Sequence, residues 1–163
     1  MSVHPLPLDR TPPDPVDRLT ARLKQRYPDR ICAELTLPAQ PARTEALPGA
    51  LDRRLRKALS ARNIRQLYKH QAEAWRLAQQ GRHFVVVTPT ASGKTLCYTT
   101  PVLQSLLDSD GAARSLFLFP TKALSQDQTS GLTALVEQLG RDWHAYTYDG
   151  DTPPSVRRTL RDR

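Results

Sequence analysis

His83-Phe-Val-Val-Val-Thr88-Pro-Thr-Ala-Ser-Gly-Lys-Thr95 is the stretch on which the reading of this chain turns. The apolar run Phe84–Val87 predicts a strand buried on both faces, and a helix follows from Gly93 to about Leu107. Strand, tight loop, Gly-Lys-Thr, helix is the layout of a phosphate-binding loop. Backbone N–H groups of such a loop converge on an anion, and the following helix adds its positive N-terminal end. On this reading Thr88, Pro89, Thr90, Ala91, Ser92 and Gly93 form the cradle. Lys94 reaches the β- and γ-phosphates, and the Thr95 hydroxyl sits on Mg²⁺. The strict pattern opens on Gly, where this chain has Thr88. The bland alternative is an ordinary strand-to-helix loop that contains a lysine.

Downstream, the same unit recurs. Ser115–Phe119 predicts a second buried strand, followed by Pro120-Thr-Lys122 and a helix from about Ala123 to Leu139 that stops at Gly140. Trp143–Tyr148 predicts a third strand, Asp149-Gly-Asp-Thr152 a loop, and Pro153 the first residue of a last helix reaching Arg163. Pro101 falls inside the first of these helices and removes one of its N–H donors. The order β-α-β-α-β-α predicts an α/β fold, an open parallel sheet flanked by helices with right-handed crossovers. The three strand-ending loops then share one edge, where ligands bind in such sheets.

Upstream, residues 1–16 hold five prolines and read as disordered or extended. Asp14-Pro15 is a helix start, with the helix running to about Tyr27 and Val16, Leu19 and Leu23 on one face. Ile31–Pro48 is broken by Pro38, Pro41 and Pro48 and reads as a surface linker, with Leu35-Thr-Leu37 a short extended piece at most. Leu51–Arg62 predicts an amphipathic helix with Leu51, Leu55, Ala58 and Leu59 inward and Asn63 left-handed at its end. Another helix spans about Lys69 to Gln80 and stops at Gly81, with Ala74, Trp75, Leu77 and Ala78 as its apolar face. Gln71 lies in its first turn. A side-chain amide there either pairs with adenine N6 and N7 or caps the helix. His70 has no evident partner and reads as a surface histidine.

At 163 residues the chain suits one ordinary domain. No apolar run approaches a membrane span, the start has no secretory h-region, and two cysteines make no framework or paired metal motif. These features favour the cytoplasm and no membrane partner. Net charge is +8, unevenly placed: residues 1–80 hold fifteen Lys and Arg against eight Asp and Glu. Between Ala50 and Gly81 only Asp52 and Glu73 oppose eight basic residues. Such an excess suits a polyanion, or is simply a solvated helix face.

Leu67-Tyr-Lys-His-Gln71, Thr88–Thr95, Phe119-Pro-Thr-Lys-Ala-Leu-Ser-Gln-Asp-Gln128 and Tyr148-Asp-Gly-Asp-Thr-Pro153 occur in the order of the Q motif, motif I, motif Ia and the next nucleic-acid-contacting loop of superfamily 2 helicases. From about Ala46 to Arg163 the chain resembles the DEAD/DEAH-type helicases, and within them the RecQ-four-like (Hrq/MrfA) group. The resemblance implies an incomplete RecA-like P-loop NTPase domain spanning 49–163, preceded by a Pro-rich extension, 1–48, with one short helix. It implies ATP and Mg²⁺ as cofactors and ATP-driven translocation on single-stranded or partly duplex DNA, with a role in DNA repair. Residue by residue, Gln71 would read adenine, Tyr68 stack near the base, and Ala91–Thr95 hold phosphates and Mg²⁺. Lys94 and Thr95 would carry the catalytic role, and Thr121, Lys122, Thr152 and Arg157 would touch the nucleic-acid backbone. As an exposed lysine near a helix start, Lys122 is slightly misfit unless an anion faces it.

The Asp-Glu-x-His box with which such motors spend ATP does not occur in these residues, nor does a second motor domain. The expectation is therefore an N-terminal, ATP-binding part cut before that box, with negligible turnover of its own. Two other classes stay open: a basic nucleic-acid-binding fragment without ATPase activity, and a small-molecule kinase using the same loop. RNA in place of DNA also stays open.

Overall fold

The computed structural model describes residues 14–35 and 41–162. The expectations for residues 1–13 and for Thr36 and Leu37 lie outside the described residues. The chain divides into two units between Pro41 and Ala42.

In the first unit, α1 (Pro15–Arg26) begins where the Asp-Pro pair predicts it. Asp14 Oδ1 accepts the Val16 N–H at 2.8 Å, which satisfies one of the donors left open at a helix start. The stripe Val16, Leu19 and Leu23 is exposed. Beyond the helix, the Arg26 and Arg30 guanidinium groups stand over the Tyr27 ring at 5.5 and 5.9 Å.

The second unit is built on helices. They are α2 (Arg53–Ala61), α3 (Lys69–Gln79), α4 (Thr95–Asp108), α5 (Lys122–Gln138) and α6 (Pro154–Asp162). The last starts one residue after the expected Pro153. The core gathers Leu51, Leu55, Ala58 and Leu59 from α2 and its approach, Trp75 from α3, Leu103 and Leu107 from α4, and Leu135, Val136 and Leu139 from α5. Each of these comes from the apolar stripe of an amphipathic pattern. Gln104 is buried among them, and its carbonyl oxygen accepts the Asp52 N–H at 2.9 Å. That bond sets the start of α2 against α4. Asn63 adopts φ +61 just after α2, and Gly81 and Gly140 take φ +66 and +65 after α3 and α5. These are the left-handed residues that end helices.

One expectation is corrected. The stretch read as a linker contains a strand, β1 (Thr44–Ala46), paired antiparallel with β2 (Gln66–Tyr68) in the register Thr44–Tyr68, Glu45–Leu67, Ala46–Gln66. Its partner lies some twenty residues away, so no local pattern announces it. For the expected open parallel sheet no ladder is seen: β1–β2 is the only sheet among the described residues. Residues 84–87, 115–119 and 143–148 carry no ladder. Along them half-buried and exposed residues nevertheless tend to alternate, the period of a strand. Val85, Val87, Leu116 and Leu118 are each more than four-fifths exposed.

Asp52 caps α2. Its Oδ1 accepts the Arg54 N–H at 2.7 Å, and the carboxylate grips the Arg54 guanidinium at 2.9 and 3.1 Å. The side-chain hydrogen bond from Arg54 holds the carboxyl down, from 3.8 to about 2, against the opposing effect of partial burial. A folded-state value below the unfolded one gives stability that is present above pH ~4 and lost as the pH falls toward 2. Asp52→Ala should cost about 1 kcal/mol at pH 7. In urea denaturation, the gap between wild type and this variant should narrow between pH 4 and 2. A gap independent of pH would show that the carboxylate is not the stabilising group.

Candidate nucleotide and nucleic-acid interface

The loop 88–95 joins the extended segment 84–87 to α4. Its backbone is bent by two left-handed residues, Ala91 at φ +60 and Gly93 at φ +76. The Thr88 and Ser92 hydroxyls meet at 2.6 Å and close the loop across its neck. Thr88, the departure from the strict pattern, thus supplies a contact that Gly could not. The Lys94 ammonium folds across the loop and donates to the Thr88 and Pro89 carbonyls at 2.8 and 2.7 Å.

From the other side the loop is held by the start of α3. Gln71 is 3% exposed. Its carbonyl oxygen accepts the Tyr68 N–H at 2.9 Å, the capping contact of an N3 residue, and its amide nitrogen donates to the Gly93 carbonyl at 2.8 Å. Of the two readings of Gln71, capping is the one the geometry displays, with a second bond to the loop that neither reading included. His70, read as a surface residue, is half-buried: its Nε2 lies 3.0 Å from the Ser92 carbonyl, and its ring stacks on Tyr68 at 5.7 Å. Nothing in the sequence flags that partner, which is a backbone atom.

A phosphate cradle needs outward carbonyls that are satisfied and inward N–H groups that are not. The N–H groups of Gly93, Lys94 and Thr95 have no acceptor among the described residues. They sit where the N-terminus of α4 begins, so the donor set suits the phosphates of a nucleotide. A hollow of about 840 Å³ lies elsewhere, between α4, α5 and the segments 115–119 and 143–148. Backbone N–H groups on a loop need no deep cavity, so the loop is the stronger candidate.

The Thr95 hydroxyl donates to Gln128 Oε1 at 3.2 Å, and the Tyr98 hydroxyl to the same oxygen at 2.7 Å. Gln128 lies on α5, whose N-cap is Thr121, the Oγ1 of which accepts the Leu124 N–H. Lys122 pairs with Asp151 of the next loop. Each raises or lowers the other in the usual sense: the Asp151 carboxylate pushes the Lys122 ammonium up, and the ammonium pulls the carboxyl down. Both groups are well exposed, so the pair contributes little stability. The loop 149–152 is braced from within. Thr152 Oγ1 accepts the Asp149 N–H, and Arg157 donates to the carbonyls of Thr152 and Asp149 at 2.8 and 2.7 Å while lying over the Tyr148 ring. Lys122 therefore meets the 149–152 loop and Thr121 caps α5, whereas Thr152 and Arg157 spend their polar groups on the loop itself.

A phosphate-type loop backed by the start of α3, with two further loops joined through α5, is the arrangement of a helicase motor part. The chain belongs to the DEAD/DEAH box helicase family, whose model matches residues 68–163. It is 51% identical over 120 residues to the ATP-dependent helicase YprA of Bacillus subtilis, covering 74% of this chain and 16% of that protein. To the ATP-dependent helicase hrq1 of Schizosaccharomyces pombe it is 41% identical, over 77% of this chain and 12% of that one. Among solved structures it matches the DUF1998 helicase MrfA bound to DNA and AMPPNP. That match has a TM-score of 0.71 and 49% identity, covering 75% of this chain and 17% of that chain. The chain thus spans about a sixth of YprA and MrfA and less of hrq1. No described helix is long and apolar enough to cross a membrane.

At Gly93 an added Cβ would stand 2.6 Å from Gln71 Nε2, on a backbone that side chains rarely adopt. Gly93→Ala should therefore cost about 1–2 kcal/mol from the backbone alone, read as a lower urea midpoint. An unchanged midpoint would mean that Gly93 does not hold its left-handed backbone conformation in solution.

Proposed function

We propose that this chain is the nucleotide-binding part of an ATP-dependent DNA helicase. The observation that carries the proposal is the loop 88–95, with three unpaired N–H groups on one side and carbonyls held by His70 and Gln71 on the other. The relatives named as ATP-dependent helicases, and the DNA- and AMPPNP-bound MrfA, support the same reading. ATP phosphates would lie against the Gly93, Lys94 and Thr95 N–H groups. The Lys94 ammonium would exchange two neutral carbonyls for anionic oxygens, a stronger class of hydrogen bond. Thr95 would hold Mg²⁺, which neutralises phosphate charge when bound. Tyr68 offers a partly exposed ring to the base. Gln71, through its buried amide, shapes the loop, and any reading of adenine would use its remaining N–H and lone pair.

Residues 84–87, 115–119 and 143–148 are read as strands of an incomplete RecA-like parallel sheet within a motor part spanning 49–163. Their alternating burial supports this reading. Thr121 and Lys122 would meet the DNA backbone, with Asp151 displaced by phosphate, while Thr152 and Arg157 would shape the adjoining loop and reach the backbone through it. Single-stranded or partly duplex DNA is the proposed substrate, and DNA repair the proposed setting.

The 163-residue chain should bind a fluorescent ATP analogue, and Lys94→Ala should weaken that binding at least tenfold. DNA-stimulated ATP turnover by the chain alone should be negligible, because no Asp-Glu-x-His carboxylates are present to position water. Equal binding by wild type and Lys94→Ala would sink the nucleotide reading. A basic nucleic-acid module is the alternative, favoured by exposed Arg53, Lys57 and Arg65; it predicts DNA binding indifferent to nucleotide and to Lys94.

For the nucleic-acid side, Lys122→Ala should weaken single-stranded DNA binding evenly across sequences. It should also reduce the slope of log K against log salt by about 1. No change in slope would remove Lys122 from the interface, and a matched RNA strand distinguishes the two substrates.

A further inference from the structure

We propose that His70 is a positioning residue for the phosphate loop, working as a pair with Gln71. This deepens, and rests on, the reading of 88–95 as a nucleotide-phosphate cradle. The two side chains are consecutive in the first turn of α3, and they bind consecutive carbonyls: His70 Nε2 meets Ser92 O at 3.0 Å, and Gln71 Nε2 meets Gly93 O at 2.8 Å. A carbonyl oxygen only accepts, so the His70 Nε2 carries the proton and donates it. Both the neutral Nε2–H tautomer and the imidazolium meet that requirement.

The consequence follows from peptide geometry. The loop contains no cis peptide, and in a trans unit the C=O and the N–H point opposite ways. Pulling the Ser92 carbonyl toward His70 turns the Gly93 N–H away from α3. Pulling the Gly93 carbonyl toward Gln71 does the same to the Lys94 N–H. Those two N–H groups belong to the set with no acceptor. His70 thus fixes one peptide plane of the cradle and Gln71 the next. Gly93, between them, is free to rotate about both its backbone bonds, so a single clamp would leave one plane loose.

His70 is itself well anchored. Its ring lies parallel to Tyr68 within 8°, and its own carbonyl lies 4.0 Å from the Cys97 sulfur on α4. The donor is therefore attached at both ends of the loop's own support, α3 and α4. Through the loop the effect falls on phosphate affinity rather than on folding, because the contact lies at the edge of the unit and outside the hydrophobic core.

The experiment compares wild type with His70→Phe, which keeps a ring to stack on Tyr68 and lacks the N–H, and with His70→Gln, whose amide nitrogen restores a donor at a similar reach. Affinity for ADP with Mg²⁺ is measured by calorimetry, and thermal melting alongside it. The expected result is a loss of about tenfold in His70→Phe, recovery to within about threefold in His70→Gln, and melting temperatures that agree for all three. Equal ADP affinity in wild type and His70→Phe would overturn the role of His70 while leaving the nucleotide reading intact. Equal losses in both variants would also overturn it, assigning the effect to packing instead of the N–H. A wild-type chain that binds no ADP would bring down the nucleotide reading and this inference together.

Discussion

One buried amide holds the functional part of this chain in shape. Gln71 accepts the Tyr68 N–H and donates to the Gly93 carbonyl, so a single side chain closes the first turn of α3 and seats the phosphate loop. Burial gives the arrangement its weight. An amide taken out of water without partners costs about 1–3 kcal/mol, and here both of its ends are satisfied. The same contact explains why position 93 is Gly: the amide nitrogen fills the place where a Cβ would stand. The strand β2 delivers Gln71 to that spot, and β1 pins β2 from the far side of α2.

From the loop a continuous line of contacts runs outward. Thr95 and Tyr98 on α4 share the Gln128 carbonyl on α5, and the first residue of α5, Lys122, stands against Asp151. The loops 88–95 and 149–152 are therefore joined through one helix pair. Along this line the interactions change in kind. Near Gln71 they are buried and short of alternatives, and near Asp151 they are exposed and easily exchanged for a phosphate.

Local chemistry made much of this legible. Asp14 caps the helix that follows it, Asn63, Gly81 and Gly140 end the helices before them, and the leucines of α2 face the core their spacing assigns. Each of these is decided within one or two helical turns. What was not legible is non-local. β1 is three residues in a Pro-rich stretch, defined only by a partner across α2. The three apolar runs have the composition of buried strands, yet composition does not say which run pairs with which. In this chain they keep the alternation of strands without a ladder. His70 reads as a surface histidine from the sequence because its acceptor is a backbone carbonyl 22 residues on. The role of Arg157 at nucleic acid comes from the family resemblance alone, and its guanidinium is held by the carbonyls of its own loop, which no local pattern announces.

The account rests on the claim that the backbone N–H groups opening α4 are held ready for phosphate. Amide proton and nitrogen shifts of the isotope-labelled chain, followed by NMR as ADP is added, test it directly. The account predicts that the Gly93, Lys94 and Thr95 amides move furthest, downfield as they gain an anionic acceptor, with the Asp149–Thr152 amides nearly still. Saturation with those three amides unmoved, or with the largest shifts in the 149–152 loop, would contradict it.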